Sequence, residues 1–300
     1  MTMDMTLLPA PTVIEVLDFE SILLQHKTEF QKLCAEAGID YSLLLESDPI
    51  TKLLELGAYR ELLMRQRIND AAKACMLAYA VETDLDNLAA NLGVMRMVVT
   101  PANPNAIPPV EAVMENDDRL RERAQMAFEG LTTAGPVESY RLHAMTASAR
   151  VADAGIDAPR PGTGNVRVSI LADNASGIPD EGLLALVRNA LNLEKIRPLC
   201  DLVTVQAAEI LESTIVAVLH RKNGPAAEVA VASGRVALDQ WLRKIRRLGA
   251  GLARSGIDAA LHQPGIDRVE LLAPAVDVLC SRTQWVRIRS ITITERVSNE

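Results

Sequence analysis

The side chains of this 300-residue chain best suited to proton transfer or metal ligation are His26, His143, His220 and His262. Those suited to thiolate chemistry are Cys34, Cys75, Cys200 and Cys280. Metal sites and nucleophile–base pairs show themselves as ligands at short, regular spacing. None of the eight stands at such a spacing, and HExxH, GxSxG and Walker sequences are absent. The expectation is structural or surface histidines, reduced and mostly buried cysteines, and no catalytic, metal or cofactor-binding residue. Gly162-Thr163-Gly164 precedes an expected strand, whereas a phosphate loop follows a strand and opens a helix. Gly249-Ala250-Gly251 follows a helix and reads as a flexible joint. Carboxylates at Asp84/Asp86, Asp117-Asp118 and Asp180-Glu181 fall at expected helix starts, where negative charge meets the positive end of the macrodipole. One cluster has binding potential: Arg243, Lys244, Arg246 and Arg247. It suits a solvated face, an acidic protein partner or phosphate. Trp241, the aromatic beside it, falls on the core side and offers no stacking platform.

The longest element these residues imply is a helix opening at Asp48 as N-cap and Pro49 as first helical residue. Apolar or small residues recur at helical spacing from Ile50 to Tyr79, predicting a helix to about Ala80, roughly 45–50 Å long. Its opposite face is not plainly polar, because Leu56, Tyr59 and Leu63 form a second stripe. A helix with two apolar stripes buries both only by meeting more than one neighbour. The seam is therefore either core or a docking face. As a docking face it comprises Leu53, Leu56, Tyr59, Leu63 and Ile68, with Arg60, Arg67 and Asp70 as rim charges. A shorter helix follows, with Thr83 as cap and Gly93 as stop.

The composition is that of a globular protein, with 49% hydrophobic and 23% charged residues but only 3% aromatics. A net charge of −8 argues against general nucleic-acid affinity. The charge is uneven: residues 201–300 hold 13 Lys and Arg against 11 Asp and Glu, and the acidic excess lies before them. The N-terminus lacks a signal-peptide pattern, and no apolar run approaches the roughly 20 residues that span a bilayer. Synthesis in the cytoplasm with no membrane role is expected.

Before the long helix, residues 8–17 read as an extended arm. Asp18 caps a helix to about Ala37 with Phe19, Leu23, Phe30, Leu33 and Cys34 on one face, and a short helical segment covers 40–46. The four prolines of 100–110 read as a linker. Residues 117–129 form a charged helix edged by Leu120, Ala124, Ala127 and Phe128, and Gly135-Pro136 starts another to about Ala147. Strands follow at 151–158 and 165–170, then a helix from Pro179 to Leu193 with Leu183, Leu186, Val187, Ala190 and Leu191 inward, then a strand at 202–206. A second unit of this kind has strands at 209–220, 266–272 and 284–294. Gly224-Pro225 turns into its helix, which runs to about Leu248, lined by Val229, Val236, Trp241, Leu242 and Ile245. A phase slip in the last strand predicts a bulge near Arg289–Ser290. The fold class is α+β, elongated and multi-domain. The helical part is 1–99, the linker and helix 100–135, and two small α/β sandwich-like domains occupy 136–208 and 209–300.

The runs LLLESDPITKLLELGAYRELLMRQRINDAA and LAYAVETDLDNLAANLGV resemble the baseplate assembly protein J family of contractile-tailed bacteriophages. That family is related to the ring-forming baseplate wedge protein of T-even phages and to R-type tailocin baseplates. The resemblance continues in LPAPTVIEVLDFESIL (8–23), RLRERAQMAFEGLTTAGPVESYRLHA (119–144) and LNLEKIRPLCDLVTV (191–205). It implies a structural wedge component, two copies per wedge, with wedges closing a ring around the central hub and spike and triggering sheath contraction. It also implies partners from the tail protein I family and the sheath-initiator family, and a mature location in the virion tail baseplate. The rival reading is an oligomeric α/β-domain enzyme with an unrecognised active site.

Overall fold

The computed structural model describes residues 11–39, 45–131, 134–221 and 227–297. Residues 8–10 of the expected arm, most of the helical segment expected over 40–46, and the Gly224-Pro225 turn lie outside them. The chain divides into two compact units: residues up to Met95 with Asp117–Arg121, and Arg96–Asn116 with the remainder from Glu122. It is α+β, with a helical N-terminal part.

The first unit holds α1 (Phe19–Glu36), α2 (Pro49–Ala74), α3 (Glu82–Asn91) and the start of α4 (Asp117–Gln125). Asp18 caps α1 by accepting from the amides of Glu20 and Ser21, and Asp48 caps α2 through Ile50 N. The two helices share a small core of Ile22, Leu23 and Ala58, flanked by Phe19, Leu54 and Leu62. Leu33 faces solvent rather than this core. The long helix ends at Ala74, not near Ala80, so it spans about 39 Å at 1.5 Å per residue. No Gly or Pro stops it. Arg121 binds the carbonyls of Leu77 (2.8 Å) and Ala80 (2.7 Å), while Met76 O accepts from both Tyr79 and Ala80. These contacts replace the bonds of a continued helix. Likewise α3 begins at Glu82 and is capped from a distance: Asp117 accepts from Glu82 N at 2.9 Å, and Thr83 lies inside the helix. Gly93 at φ +74° does end it.

In the second unit the proline stretch is not a bare linker. It is the far part of a ribbon formed by β1 (Val98–Thr100) and β2 (Val113–Met114), extended by an Asn103–Val110 bridge. Its base is held by Glu115, which is buried against Arg123 at 2.6 Å and accepts from Met97 N at 3.0 Å. Phe128, expected on the inner edge of the charged helix, is exposed in a 3-10 turn, Ala127–Leu131, that follows α4.

Two mixed sheets follow. In the first, β3 (Val151–Asp157), β4 (Asn165–Ala172) and β5 (Leu202–Ala207) lie in that order, with β3 antiparallel and β5 parallel to the centre. Helices α5 (Val137–Ala147) and α6 (Glu181–Leu191) pack on it around Tyr140, Met145, Ile170, Leu183 and Val187. Leu186 points outward, and Leu184 packs against this core. In the second, β6 (Glu209–Arg221) is central between β7 (Ile266–Ala273) and β8 (Gln284–Val297), covered by α7 (Ala227–Lys244) and α8 (Arg254–Leu261). The flanking strands have the same directions as in the first sheet, yet the central strand comes first in the chain, so the two are not a simple repeat. The bulge lies where the phase slip places it: Ser213 pairs with Ile288 and Ile215 with Ile291, leaving Arg289 and Ser290 opposite one residue. The inner face of α7 differs from expectation. Val229 and Val236 are exposed, and the buried residues are Ala230, Val231 and Leu238.

Candidate functional site

α2 carries two opposite faces. The inner one buries Thr51, Ala58 and Asn69 and half-buries Leu54 and Leu62. Buried Asn69 holds the extended segment before α1 by a reciprocal pair: its Oδ1 accepts from Glu15 N (3.1 Å) and its Nδ2 donates to Glu15 O (2.9 Å). Beside it, Glu61 accepts from Arg65 (2.7 Å) and meets His26 Nε2 at 2.6 Å, and Arg65 also reaches Glu15 at 3.0 Å. The His26 bond and then Arg65 hold the Glu61 carboxyl below its ordinary range.

The outer face brings Leu53, Leu56, Tyr59, Leu63 and Ile68 onto one stripe, each 50–67% exposed. At 100° per residue they fall within one half of the helix, opposite Ala58 and Asn69. Met64, 68% exposed, lies in the middle of the stripe. It was legible from its position but sits among the polar residues of the run. Arg60, Arg67 and Asp70 are exposed too, but by the same count Arg60 and Arg67 fall between the apolar residues of the stripe rather than at its rim; Gln66 donates to Asp70 at 2.9 Å. An isolated exposed Leu is ordinary. Six large apolar side chains in one stripe, over about four turns, form the kind of patch that marks protein contact.

The basic cluster is not one free row. Arg243 pairs with Asp239 at 2.7 Å. Arg246 turns into the joint between the two sheets: it donates to Asn174 O at 2.6 Å, and its guanidinium lies 5.8 Å from the Trp285 ring centroid. α7 ends at Lys244, so Arg247 follows in a turn with its side chain exposed. The joint was not foreseen. Its hub is buried Asp153, accepting from Arg141 Nε (2.7 Å), Ala154 N (2.8 Å) and Leu248 N (2.8 Å). Burial opposes the Arg141 charge, but Asp153 and Glu122 raise its pKa above the ordinary value. Gly249-Ala250-Gly251 belongs to this joint and is held, not flexible: Gly249 N donates to Gln284 O, and Leu252 bridges to Val278.

His220 meets Glu270 at 3.1 Å and Arg268 at 3.0 Å on the second sheet, and His143 is half-buried in α5. His262 is exposed after α8. Cys34 is buried, but Cys75 and Cys200 are exposed and Cys280 is intermediate, contrary to the expectation of mostly buried thiols. Among the described residues no group of three His, Cys, Asp or Glu is placed to hold a metal ion, and no helix is long and apolar enough to cross a membrane.

Two family models match the chain: the baseplate J-like N-terminal domain over residues 46–103, and the baseplate J-like central domain over 132–207. The first contains all of α2, and the second the whole first sheet with its helices. Baseplate protein J of Escherichia phage P2 is 46% identical over 284 residues, covering 94% of this chain and 93% of that protein. A match of that depth over both units means that the chain belongs to the baseplate protein J family, structural proteins of the phage tail baseplate.

Proposed function

We propose that this chain is a wedge component that associates with itself and with other wedge proteins, and that the outer face of α2 is where a partner helix docks. In this reading two copies enter each wedge, and a helix from a tail protein I family partner joins the two α2 helices in a bundle. The wedges close a ring around the hub and spike, with a sheath-initiator family protein adjacent. Assembly takes place in the host cytoplasm, and the ring triggers sheath contraction mechanically. The observation that carries the docking face is the stripe from Leu53 to Ile68, left uncovered by its own unit on a helix whose other face is already occupied. Full burial of one such side chain contributes about 1.5–3 kcal/mol, so a handful suffices for stable association.

The test is Tyr59→Asp combined with Leu63→Asp. Both side chains point away from the α1–α2 core, so the isolated chain should stay folded and soluble, with stability changed by about 0.5 kcal/mol or less. Co-purification with the tail protein I partner should be lost. If the double variant unfolds instead, the stripe is internal core and the reading fails.

A further inference from the structure

The two larger sheets end in four edge strands, β3, β5, β7 and β8. An open edge accepts further strands unless a bulge or charged side chains guard it. Three of the four are guarded. The pairing of β3, β7 and β8 is broken by register shifts, and these strands carry Asp153 and Asp157, Arg268 and Glu270, and Arg289 and Arg296 respectively. β5 has neither guard. It pairs with β4 without a shift, and residues 202–208 contain no charge, proline or glycine.

The pairing fixes which groups of β5 are open. Leu202 N donates to Gly164 O at 2.8 Å and Ala208 N to Ile170 O at 2.9 Å, so the even-numbered residues turn their backbone toward β4. Successive residues of a strand bond to opposite sides, which leaves the N–H and C=O of Val203, Val205 and Ala207 facing outward. Among the described residues none pairs with them. The Val203 and Val205 side chains are buried in the core of the first sheet, so the open edge is anchored.

We propose that the β5 edge takes up an extended segment of another protein as a fourth strand of the first sheet. The backbone of that segment pairs with Val203, Val205 and Ala207. Charge selects the occupant. The uncharged run is bracketed by Asp201 and Glu209, whose donors are neutral: Tyr140 Oη at 2.6 Å and Gln284 Nε2 at 2.9 Å. Neither carboxylate is in an ion pair among the described residues. A second copy does not fit. The two-fold antiparallel register that pairs all three open residues sets Val203 against Ala207 and Val205 against itself. It also sets Asp201 against Glu209 twice, and like charges facing across strands repel. The segment that fits is uncharged and β-branched over its middle and carries Lys or Arg at both ends.

The probe is a fluorescein-labelled peptide, Gly-Lys-Thr-Val-Thr-Val-Thr-Val-Thr-Lys-Gly, whose two Lys are spaced as Asp201 and Glu209 are. It is titrated into the full chain and followed by anisotropy and by site-resolved amide exchange. One control peptide has Glu in place of both Lys. Another keeps every side chain but is methylated at each Val and Thr amide. Exchange at Val203, Val205 and Ala207 should be fast in the free chain and should slow roughly tenfold or more at saturation, whereas Thr204 stays slow throughout. The methylated peptide should not bind, and the Glu-ended one should bind more weakly. Glu209→Lys, at an exposed position and verified by unchanged melting, should narrow that difference. Failure of the Lys-ended peptide to bind, or binding that leaves the three amides unchanged, overturns the assignment. So does equal binding of either control peptide. Protection of the three amides that rises with protein concentration in the absence of peptide makes the occupant a second copy, and also overturns it.

Discussion

At the scale of single residues, Asn69 does the most with the least. A polar residue on the buried face of a helix stands only if its hydrogen bonds are met, and here the partner is the backbone of Glu15, 54 residues away. Asn69→Ala removes two such bonds and should weaken the attachment of residues 14–17 by about 1–3 kcal/mol. Limited proteolysis should then cut before α1 faster while α2 stays intact. Glu61 makes the same neighbourhood acid-sensitive. A carboxylate whose pKa is lowered by folding stabilises the fold above its ordinary value of 4.5, and that contribution disappears as the pH falls through the lowered value. The melting temperature of the first unit should therefore drop as the pH is stepped below 4.5, and Glu61→Gln should flatten that drop.

At the scale of elements, the joint of the second unit rests on close backbone approach as well as on Asp153. Gly155 lies where an added Cβ would stand 1.9 Å from the Arg282 carbonyl oxygen, so no side chain fits without opening the joint. Gly155→Ala should split unfolding of the second unit into two calorimetric transitions. Asp153→Ala should cost about 3–5 kcal/mol by taking one of its two close carboxylates from the buried Arg141 charge and the acceptor from Leu248 N. Local signals were readable in the chain wherever an element is governed by its own residues. Asp18 and Asp48 cap as their spacing says, and the slip between Ile288 and Ile291 marks a real bulge. The misreadings come from distant partners and small residues. Arg121 ends the region after α2 from 41 residues away, and Asp117 caps α3 from 35. On α7 the packing face includes Ala230 and Gly234, the latter against the Leu261 carbonyl, so large residues mislead in its first half: Val229 and Val236 are exposed, whereas Trp241, Leu242 and Ile245 pack on the core as expected. Of the candidate site, the stripe residues were legible from spacing alone. The joint that claims Arg246 was not, because Asp173 and Asn174 lie more than 70 residues from it.

At the scale of the molecule, the two units differ in how much apolar surface they conceal. The second holds two cores of buried side chains beneath its sheets, whereas the α1–α2 pair buries Ile22, Leu23 and Ala58 and leaves a longer apolar stripe outside. Baseplate proteins of this family work beside other baseplate proteins, and in the proposed reading one of them covers the α2 stripe. The direct measurement puts a photo-crosslinking amino acid at Met64, in the middle of the stripe, and irradiates the chain co-expressed with the neighbouring tail proteins. A covalent adduct to a second polypeptide is expected at position 64 and none at position 55, on the other side of α2 from the stripe. A complex that assembles and yields no intermolecular adduct at 64 would contradict this reading.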